Sequence, residues 1–276
     1  MDIAVYTRDS SLREKPRFQV LMESLAKLGF GFYDVCSGED LRPATDMVMS
    51  VGGDGTFLSA SKRMGKSQVP LLGVNMGRVG FLSEYTPEEV LDALVSGAYD
   101  IEDRTLLDTK VNGRILSEDT SFWPYTLNEI SVHRSGAAIL GVEVSLDGNR
   151  LPTYWADGLL VATSSGSTAY SLSVGGPICS PDSKVIIIAP IAPHNLNVRP
   201  LVVPDTTKVV ISTLSRDDKV LLSMDNRGAA LAPDASLSIG VAQFSLKRVR
   251  LGKSSFFKAL TTKLFWGEDI RNGSGI

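Results

Sequence analysis

The chain has 276 residues, of which 43% are hydrophobic, and its 28 basic and 31 acidic residues leave a formal net charge of −3. This length suits two modest domains, and the even mixture of charges excludes a basic stripe of the kind that binds nucleic acid or an anionic membrane. The two cysteines, Cys36 and Cys179, form no C-x-x-C pair, which argues against a metal cluster and a disulfide framework. Because the sequence shows no export signal and no apolar run of membrane-spanning length, we expect a cytoplasmic protein.

The first 100 residues alternate between short apolar runs and amphipathic segments. The apolar runs predict strands at residues 3–6, 47–51 and 69–74. A helix is predicted from residues at helical spacing before Gly29, namely Phe18, Leu21, Met22, Leu25 and Leu28. A later helix follows the capping box Thr86-Pro87-Glu88-Glu89 and is expected to bury Val90, Leu91, Leu94 and Val95. This alternation predicts an α/β domain over residues 1–100, with a parallel sheet and ligands beyond the carboxyl ends of its strands.

Beyond residue 100 the pattern changes to the period-two alternation of strands, seen at residues 139–146, 208–213 and 220–224. Asp147-Gly148 lies between two such runs and is typical of a hairpin turn. We therefore predict a second, all-β domain over residues 101–251. Helical spacing returns near the C-terminus, at Phe256, Phe257, Leu260, Leu264 and Phe265. The segment 252–276 is expected to form a helix that packs back on the first domain.

The sharpest motif is Gly52-Gly53-Asp54-Gly55-Thr56, which directly follows the apolar run 47–51. Three glycines around one carboxylate let the backbone approach a ligand and present N–H groups to phosphate oxygens near a helix N-terminus. We predict that Gly52, Gly53, Gly55 and Thr56 bind a phosphate and that Asp54 lies beside it. The alternative is an ordinary strand-to-helix turn, which the three glycines and the threonine make less favoured.

Two other glycine segments depart from the standard phosphate motifs. Gly65-Lys66-Ser67 resembles the end of a P-loop, but Ala60 stands where that motif needs a glycine, so a helix C-terminus is the better interpretation. In the segment 73–80, Asn75 replaces the second glycine of the dinucleotide fingerprint. This second segment remains a candidate to approach the ligand.

A second group of polar residues lies in the β-rich part, where Asp157-Gly158 precedes the hydroxyl-rich segment 163–171. Its hydroxyls suit hydrogen bonds to a ribose, a carboxamide or a phosphate, and Tyr170 can stack on a base. Asn128-Glu129 interrupts an apolar strand and can grip sugar hydroxyls or an adenine edge. The alternative for the segment 163–171 is an exposed serine-rich loop. The alternative for Asn128 and Glu129 is that both are solvent-facing strand residues. His133 is expected to face solvent and His194 to lie in a loop, so the sequence indicates no metal-ligating residue.

These segments resemble those of the NAD kinase family, and the similarity covers most of the chain. It rests on the glycine loop, on Asn75 with Gly80-Phe81-Leu82, and on Leu127-Asn128-Glu129. It continues through Asp157-Gly158, residues 166–173, Val174-Gly175-Gly176-Pro177, Pro190-Ile191-Ala192-Pro193-His194 and Arg199-Pro200. The glycine loop is also found in lipid kinases and phosphofructokinases, whereas the later motifs are more specific.

The resemblance implies an N-terminal α/β domain joined to a β-rich domain that supplies much of an NAD site. Asp54 corresponds to the catalytic aspartate of the family. The NAD-contacting positions of the family fall on Asn128, Glu129, Asp157, Thr168, Ala169, Tyr170 and Ser173. Neighbouring residues of the same motifs complete the predicted NAD set, namely Gly55, Asn75, Phe81, Ser165, Ser171 and Leu172. The resemblance further implies ATP as phosphate donor, a divalent metal such as Mg²⁺, and a homodimer or homotetramer assembled through the β-rich domain.

The expected reaction is attack by the adenosine 2′-hydroxyl of NAD on the γ-phosphate of ATP, giving NADP, with Asp54 accepting or orienting the hydroxyl proton. The chain departs from the family pattern at Trp155, at Ser164, and at Asn226-Arg227. These departures bear on the nicotinamide end and the subunit contact. Two alternative functions stay open at this point: a lipid or sugar kinase that shares the glycine loop, and a non-catalytic dinucleotide-binding sensor.

Overall fold

The computed structural model describes residues 1–77, 80–116, 122–252 and 256–267, and the chain divides into two compact units. The first unit comprises residues 1–103 together with the segment from Leu246 onward, and the second comprises residues 104–245. The strands β1 to β5 are Asp2–Tyr6, Gly31–Asp34, Met47–Val51, Leu71–Val74 and Tyr99–Arg104, and the helices α1 to α3 are Pro16–Lys27, Asp54–Met64 and Pro87–Ser96.

The remaining elements follow in chain order. The strands β6 to β12 are Leu107–Asn112, Tyr125–Thr126, Glu129–Arg134, Leu140–Leu146, Asn149–Arg150, Tyr154–Ala156 and Gly158–Thr163. After the short helix α4, Tyr170–Ser173, the strands β13 to β18 are Val185–Ile191, Leu201–Pro204, Val209–Leu214, Val220–Met224, Arg227–Leu231 and Ser236–Val241. The strand β19, Leu246–Leu251, and the helix α5, Phe256–Leu264, complete the described chain.

The first unit is built on a six-stranded sheet in the order β2-β1-β3-β4-β19-β5, in which β1 to β4 run parallel. All five residues of β3 are buried, as expected of a parallel strand covered on both faces. The amphipathic helix α1 buries Phe18, Leu21 and Leu25 at helical spacing. The predicted α/β architecture is confirmed, and the loops after β1, β3 and β4 meet at one edge of the sheet.

Helix α3 begins with the predicted capping box. The Thr86 hydroxyl accepts a hydrogen bond from the Glu89 backbone N–H at 3.3 Å, and the Glu89 carboxylate accepts one from the Thr86 N–H at 2.9 Å. The prediction that Val95 is buried was wrong, because its exposed fraction is 61% while Val90, Ala93 and Leu94 are buried. Val95 lies roughly 140° around the helix from Val90, outside the buried stripe.

Strand β19 lies between β4 and β5 in the sheet of the first unit and pairs parallel with β4 through Arg248 and Leu71. The residues of β19, Leu246–Leu251, were predicted to belong to the β-rich domain, and this prediction was wrong. The burial of a single strand shows that it belongs to a sheet but not to which sheet, since strand pairing is a non-local property. The chain therefore returns to its first unit at Leu246.

The second unit contains two antiparallel sheets. One has the order β10-β9-β15-β18-β6-β7 with β11 paired to β9, and the other has the order β14-β13-β12-β8-β16-β17. Alternate apolar residues of both sheets, such as Val142, Val144, Leu159 and Val161, form one buried core. The hairpin turn at Asp147-Gly148 is present, with positive φ of 48° and 83° at its two residues. The predicted all-β character of this region is confirmed.

Helix α5 belongs to the first unit and buries Ala259. Of the residues predicted at helical spacing, Phe257 and Phe265 are 71% and 64% exposed. Phe265 follows the end of the helix and has a φ of 52°. Residues 253–255 and 268–276 of the predicted C-terminal segment lie outside the described residues. Among the helices in the described ranges, none combines the length and apolar character needed to cross a membrane.

Candidate functional site

The glycine loop joins the end of β3 to the start of α2, which begins at Asp54 with Gly53 as its N-cap. The backbone N–H of Gly52 donates to the Val74 carbonyl at 2.8 Å, and a Cβ at Gly52 would overlap the side chain of Thr56. The first N–H groups of an α-helix have no carbonyl partner within the helix. In α2 these include the N–H groups of Asp54 and Gly55. This end of α2 is therefore suited to bind an anion.

The Asp54 carboxylate is fixed by three consecutive backbone N–H groups. Oδ2 accepts from Phe81 at 2.9 Å, and Oδ1 accepts from Leu82 at 3.0 Å and from Ser83 at 2.8 Å. Gly80 permits this approach, because a Cβ there would overlap the carboxylate. The structure thus brings together Asp54 and Phe81, which the sequence analysis placed in separate motifs. A carboxylate has about four acceptor sites, so one remains for a ligand.

Asn75 shapes the segment that leads to these amides. Its buried side chain donates from Nδ2 to the Ser83 carbonyl at 3.0 Å, and its Oδ1 accepts from the Gly77 N–H at 2.6 Å. Arg78 and Val79 of the segment 73–80 lie outside the described residues. Asn75 therefore supports the loop that holds Asp54, whatever further contact it makes with a ligand.

Arg8 is a candidate residue that the sequence analysis missed. It follows β1, and its guanidinium Nη1 is 3.6 Å from the position that a Cβ on Gly55 would take. An exposed guanidinium beside a helix N-terminus is suited to phosphate. The available signal was a basic residue directly after the carboxyl end of a predicted parallel strand.

In the second unit, alternate residues of β8 place Glu129, Ser131 and His133 on one face of the strand. The Ser131 hydroxyl bonds His133 Nε2 at 2.8 Å, and the ring of Tyr170 stacks on His133 with centroids 6.0 Å apart and an interplanar angle of 17°. His133 was expected to face solvent, and it is instead partly buried, because the Tyr170 ring lies over its ring. Burial lowers the pKa of His133, and the Asp157 charge opposes that shift.

The hydroxyl-rich segment is largely buried, so the alternative of an exposed serine-rich loop was wrong. Ser165, Ser167 and Ser171 are at most 9% exposed. Gly166 lies against the Asn128 backbone, where a Cβ would overlap the Asn128 carbonyl oxygen. The other predicted residues are partly buried or exposed, namely Thr168, Ala169, Tyr170, Leu172 and Ser173. Close packing against the Asn128 backbone, just before β8, explains why this segment consists of small residues.

Asp157 lies close to the same polar face. Its carboxylate accepts from Arg134 Nε at 2.7 Å, and the side chain is 41% exposed. Burial raises the pKa of the Tyr170 hydroxyl, and the charges of Glu129 and Asp157 raise it further. The structure therefore brings Glu129, Asp157 and Tyr170 together and adds Arg134, which the sequence analysis missed.

The partly buried Asp225 holds the Asn128-Glu129 motif in place with its carboxylate. It accepts from the N–H groups of Leu127 at 2.6 Å, Asn128 at 2.8 Å and Glu129 at 3.3 Å. Burial, together with the Asp225 charge, raises the pKa of Glu129 to about 8, while the Tyr170 N–H donates to its carboxyl group and lowers the pKa. The alternative of solvent-facing strand residues was wrong for this pair, since Asn128 is 8% exposed.

The residues that depart from the family pattern have specific contacts. The Arg227 guanidinium donates to the carbonyls of Met224, Trp123 and Tyr125 at 2.7 to 3.0 Å. The Ser164 hydroxyl donates to the Pro181 carbonyl at 2.9 Å. Each of these side chains therefore supports the backbone around the polar face of the second unit.

The first unit has a glycine loop with a fixed carboxylate at a helix N-terminus, and the β-rich unit that follows it in the chain has a recessed hydroxyl-rich segment. Together these features define a nucleotide-binding phosphotransferase. Residues 38–99 match the family model described as the ATP-NAD kinase N-terminal domain, and residues 127–251 match the ATP-NAD kinase C-terminal domain. The chain belongs to the NAD kinase family. The match over residues 127–251 favours this family over a lipid or sugar kinase that shares only the glycine loop.

Individual relatives agree with this assignment. The chain is 41% identical over 240 residues to the NAD kinase of Flavobacterium psychrophilum, covering 86% of this chain and 81% of that protein. It is 38% identical over 259 residues to the NAD kinase of Christiangramia forsetii, covering 92% and 87%. An NAD kinase from Archaeoglobus fulgidus, solved in complex with ATP, is 27% identical with a TM-score of 0.77 and covers 96% of this chain and 99% of that chain. Yeast NADH kinase, solved with NADH, shares the fold at 24% identity, with a TM-score of 0.84 and coverage of 99% and 90%.

The raised pKa of Glu129 predicts a pH-dependent stability. Between the ordinary value of 4.5 and about 8, the folded chain holds this proton whereas the unfolded chain has lost it. The free energy of unfolding therefore falls as pH rises through this window, by about 1.4 kcal/mol per pH unit from this group, and levels off above it. Glu129→Gln removes the titrating group and should make the slope shallower.

Urea unfolding from pH 5.5 to 8.5 measures this slope for the wild type, for Glu129→Gln and for a control. Glu143→Gln is the control, because Glu143 lies on β9 of the same unit and its side chain is 33% exposed. The control should keep the wild-type slope. Equal slopes in the wild type and Glu129→Gln would contradict the prediction.

Proposed function

We propose that the first unit binds ATP and the second unit binds NAD, and that the chain transfers the γ-phosphoryl group of ATP to the adenosine 2′-hydroxyl of NAD, forming NADP. Membership of the NAD kinase family supports the activity. The observation that carries the assignment of roles is the placement of Asp54, at the N-terminus of α2 with its carboxylate fixed by three N–H groups.

The phosphates of ATP bind at the start of α2 in this proposal. The N–H groups of Gly53, Asp54 and Gly55 and the hydroxyl of Thr56 donate to phosphate oxygens, and Gly52 keeps the turn compact. Arg8 adds a positive charge beside Gly55. Phosphoryl transfer depends mainly on positioning and charge neutralisation, and these groups supply both.

Asp54 orients the attacking hydroxyl. Three of its roughly four acceptor sites are occupied by backbone N–H groups, and the remaining one accepts a hydrogen bond from the 2′-hydroxyl. A carboxylate held in this way has little freedom to turn, which favours a fixed hydroxyl geometry over a mobile base.

A divalent ion such as Mg²⁺ would be held mainly by the phosphates of ATP bound at the start of α2. Among the described residues, no group of three or more His, Cys, Asp or Glu side chains is arranged to hold a metal. This suits Mg²⁺, which keeps several waters and is held by substrate phosphates with one or two carboxylates. When bound, the ion neutralises charge on the β- and γ-phosphates.

NAD recognition falls mainly to the polar face of the second unit. The Asn128 amide and the protonated Glu129 carboxyl provide donors and acceptors, and Tyr170 offers a ring for stacking. The remaining proposed contacts in this unit are Ser165, Thr168, Ala169, Ser171, Leu172 and Ser173. Gly55, Asn75 and Phe81 are the proposed contacts from the first unit.

Purified protein with ATP, magnesium and NAD should produce NADP, and Asp54→Asn should lower turnover by at least about a hundredfold, the lower end of the usual general acid–base range. An asparagine offers one oxygen where the carboxylate offers two, so the hydroxyl and the loop amides lose their shared acceptor. Asp92→Asn, at an exposed position of α3, serves as the control and should keep wild-type turnover. Absence of NADP from the wild type would overturn the function, and an active Asp54→Asn would overturn the role of Asp54.

Asn128→Ala and Tyr170→Ala should weaken NAD binding, measured by calorimetry, far more than ATP binding, because both side chains lie in the second unit. A lost hydrogen bond and a lost stacking surface each cost roughly 1 kcal/mol or more. Asn149→Ala in the exposed strand β10 is the matched control and should leave NAD affinity unchanged. Unchanged NAD affinity in both test variants would contradict the proposed site.

The proposed assembly is a homodimer or homotetramer in the cytoplasm, in which Asp157 reaches the NAD held by a neighbouring subunit. The resemblance to the family supports this assembly, and so does an exposed apolar pair near Asp157. Trp155 and Leu214 are 41% and 47% exposed, and both pack on Gly141. Exposed aromatic residues are enriched where protein surfaces meet. Tyr154 and residues 159–161 are instead core residues of the second unit.

Subunit mixing tests the shared site. Inactive Asp54→Asn and inactive Asp157→Ala proteins are combined under conditions that allow subunit exchange. Hybrid sites that receive Asp54 from one chain and Asp157 from the other should restore activity. Differently tagged subunits report exchange, and continued inactivity after complete exchange would show that each chain holds its own full site.

A further inference from the structure

The loop that holds Asp54 is bonded on two sides by opposite charges. The peptide group between Gly80 and Phe81 accepts from Lys263 Nζ at its carbonyl and donates to Asp54 at its N–H. The next two peptide groups follow the same pattern, because Arg248 Nη2 donates to the carbonyls of Phe81 and Leu82 at 3.4 and 3.3 Å. Three consecutive peptide groups therefore connect two cations to one carboxylate.

These peptide groups are polarised along one direction, with each carbonyl towards a cation and each N–H towards Asp54. Hydrogen bonds to charged groups are stronger than neutral ones, and hydrogen bonds in a chain reinforce one another. Two hydrogen bonds fix the orientation of each peptide plane, one at its carbonyl and one at its N–H. Without the cation, only the hydrogen bond at the N–H remains. The N–H that bonds Asp54 then turns more freely, because both groups belong to the same plane.

The two cations are not equivalent. Arg248 is 2% exposed and pairs with Glu102 at 2.9 Å and Glu84 at 3.1 Å. Its removal would leave two carboxylates without this buried partner, which is a large cost to folding. Lys263 is 12% exposed, 3.9 Å from the Glu84 carboxylate, and its Nζ lies 4.8 Å from the centroid of the Phe81 ring. Glu84 pairs with both cations, but without the Lys263 charge it keeps its closer partner Arg248, so the protein should still fold.

We propose that Lys263 is a positioning residue for the NAD kinase reaction, whose ammonium group orients the Asp54 carboxylate through the peptide groups of residues 80–83. The inference rests on the proposed function, since Asp54 matters to turnover only if it acts on the reacting hydroxyl. It assigns a role to the end of α5, a helix that contains none of the residues in the predicted motifs. A purely structural role would affect folding and substrate binding instead.

Steady-state kinetics separates these roles. Lys263→Met keeps the length of the side chain but removes its charge, and it should lower kcat by at least about tenfold, since misplacement by about 1 Å can cost roughly a hundredfold. The KM for NAD should stay within about twofold of wild type, because NAD recognition falls mainly to the second unit. Lys263→Arg restores a cation and should recover most of the lost kcat.

Lys258→Met is the matched control, because Lys258 is an exposed lysine on the same helix. It should match the wild type in kcat and in KM. Thermal unfolding of every variant shows whether a loss of kcat follows from a loss of folded protein. Lys263→Gln, which keeps a hydrogen-bond donor but no charge, takes the place of Lys263→Met if that variant does not fold, and it should show the same loss.

Amide hydrogen exchange gives a readout that needs no activity. The N–H groups of Phe81, Leu82 and Ser83 should exchange at least about tenfold faster in Lys263→Met than in Lys258→Met, as expected when a local opening becomes easier. Exchange in β3 should not change. Unchanged exchange at residues 81–83, or an unchanged kcat in an active enzyme, would overturn the proposal. A wild-type protein that makes no NADP would overturn the proposed function instead, and the exchange result would still decide whether Lys263 holds the loop.

Discussion

The first unit depends on one constraint, the hydrogen bonds that three consecutive backbone N–H groups donate to the Asp54 carboxylate. It requires a glycine at position 80, because any side chain there would overlap the carboxylate. It also requires β3 and β4 to lie side by side, so that the loops beyond their carboxyl ends meet. The return of β19 and α5 to this unit provides the cations that hold the carbonyls of the same loop.

The second unit repeats the arrangement with Asp225. One oxygen of its carboxylate accepts from the first of three consecutive N–H groups, at Leu127, and the other accepts from the next two, as in Asp54. The two carboxylates differ in what they serve. Asp54 belongs to the glycine loop itself, whereas Asp225 lies outside the Asn128-Glu129 motif, bonds its N–H groups and raises the pKa of Glu129. In both units the amides of three consecutive residues are fixed by one carboxylate, which leaves the side chains of these residues to make other contacts.

The sequence predicted the features that depend on local chemistry. The capping box at Thr86, the hairpin at Asp147-Gly148 and the buried strand at residues 47–51 each follow from a few neighbouring residues, and all are present. The features it missed depend on contacts between distant parts of the chain. Arg8 reaches Gly55 and β19 joins β4 only because the fold brings them together, and no short pattern records such a pairing.

Burial explains the remaining differences in the candidate site. His133 and Glu129 occupy alternate positions of one strand, which the sequence allows to face solvent or protein. Which of the two the His133 side chain faces depends on the segment around Tyr170, which lies more than thirty residues later and covers His133. The role of Asn226-Arg227 was equally hidden, because the contacts of Arg227 with Trp123 and Tyr125 span about one hundred residues.

The position of Lys263 near the end of the described chain has a consequence for protein synthesis. A nascent chain that has emerged only as far as residue 245 contains Asp54, its loop and all of the second unit, but it lacks β19 and α5. Domains fold as their residues leave the ribosome, N-terminal parts first. The loop around Asp54 therefore reaches its final hydrogen bonding only after residue 263 has left the ribosome, later than the whole second unit, which lies between Asp54 and β19 in the chain.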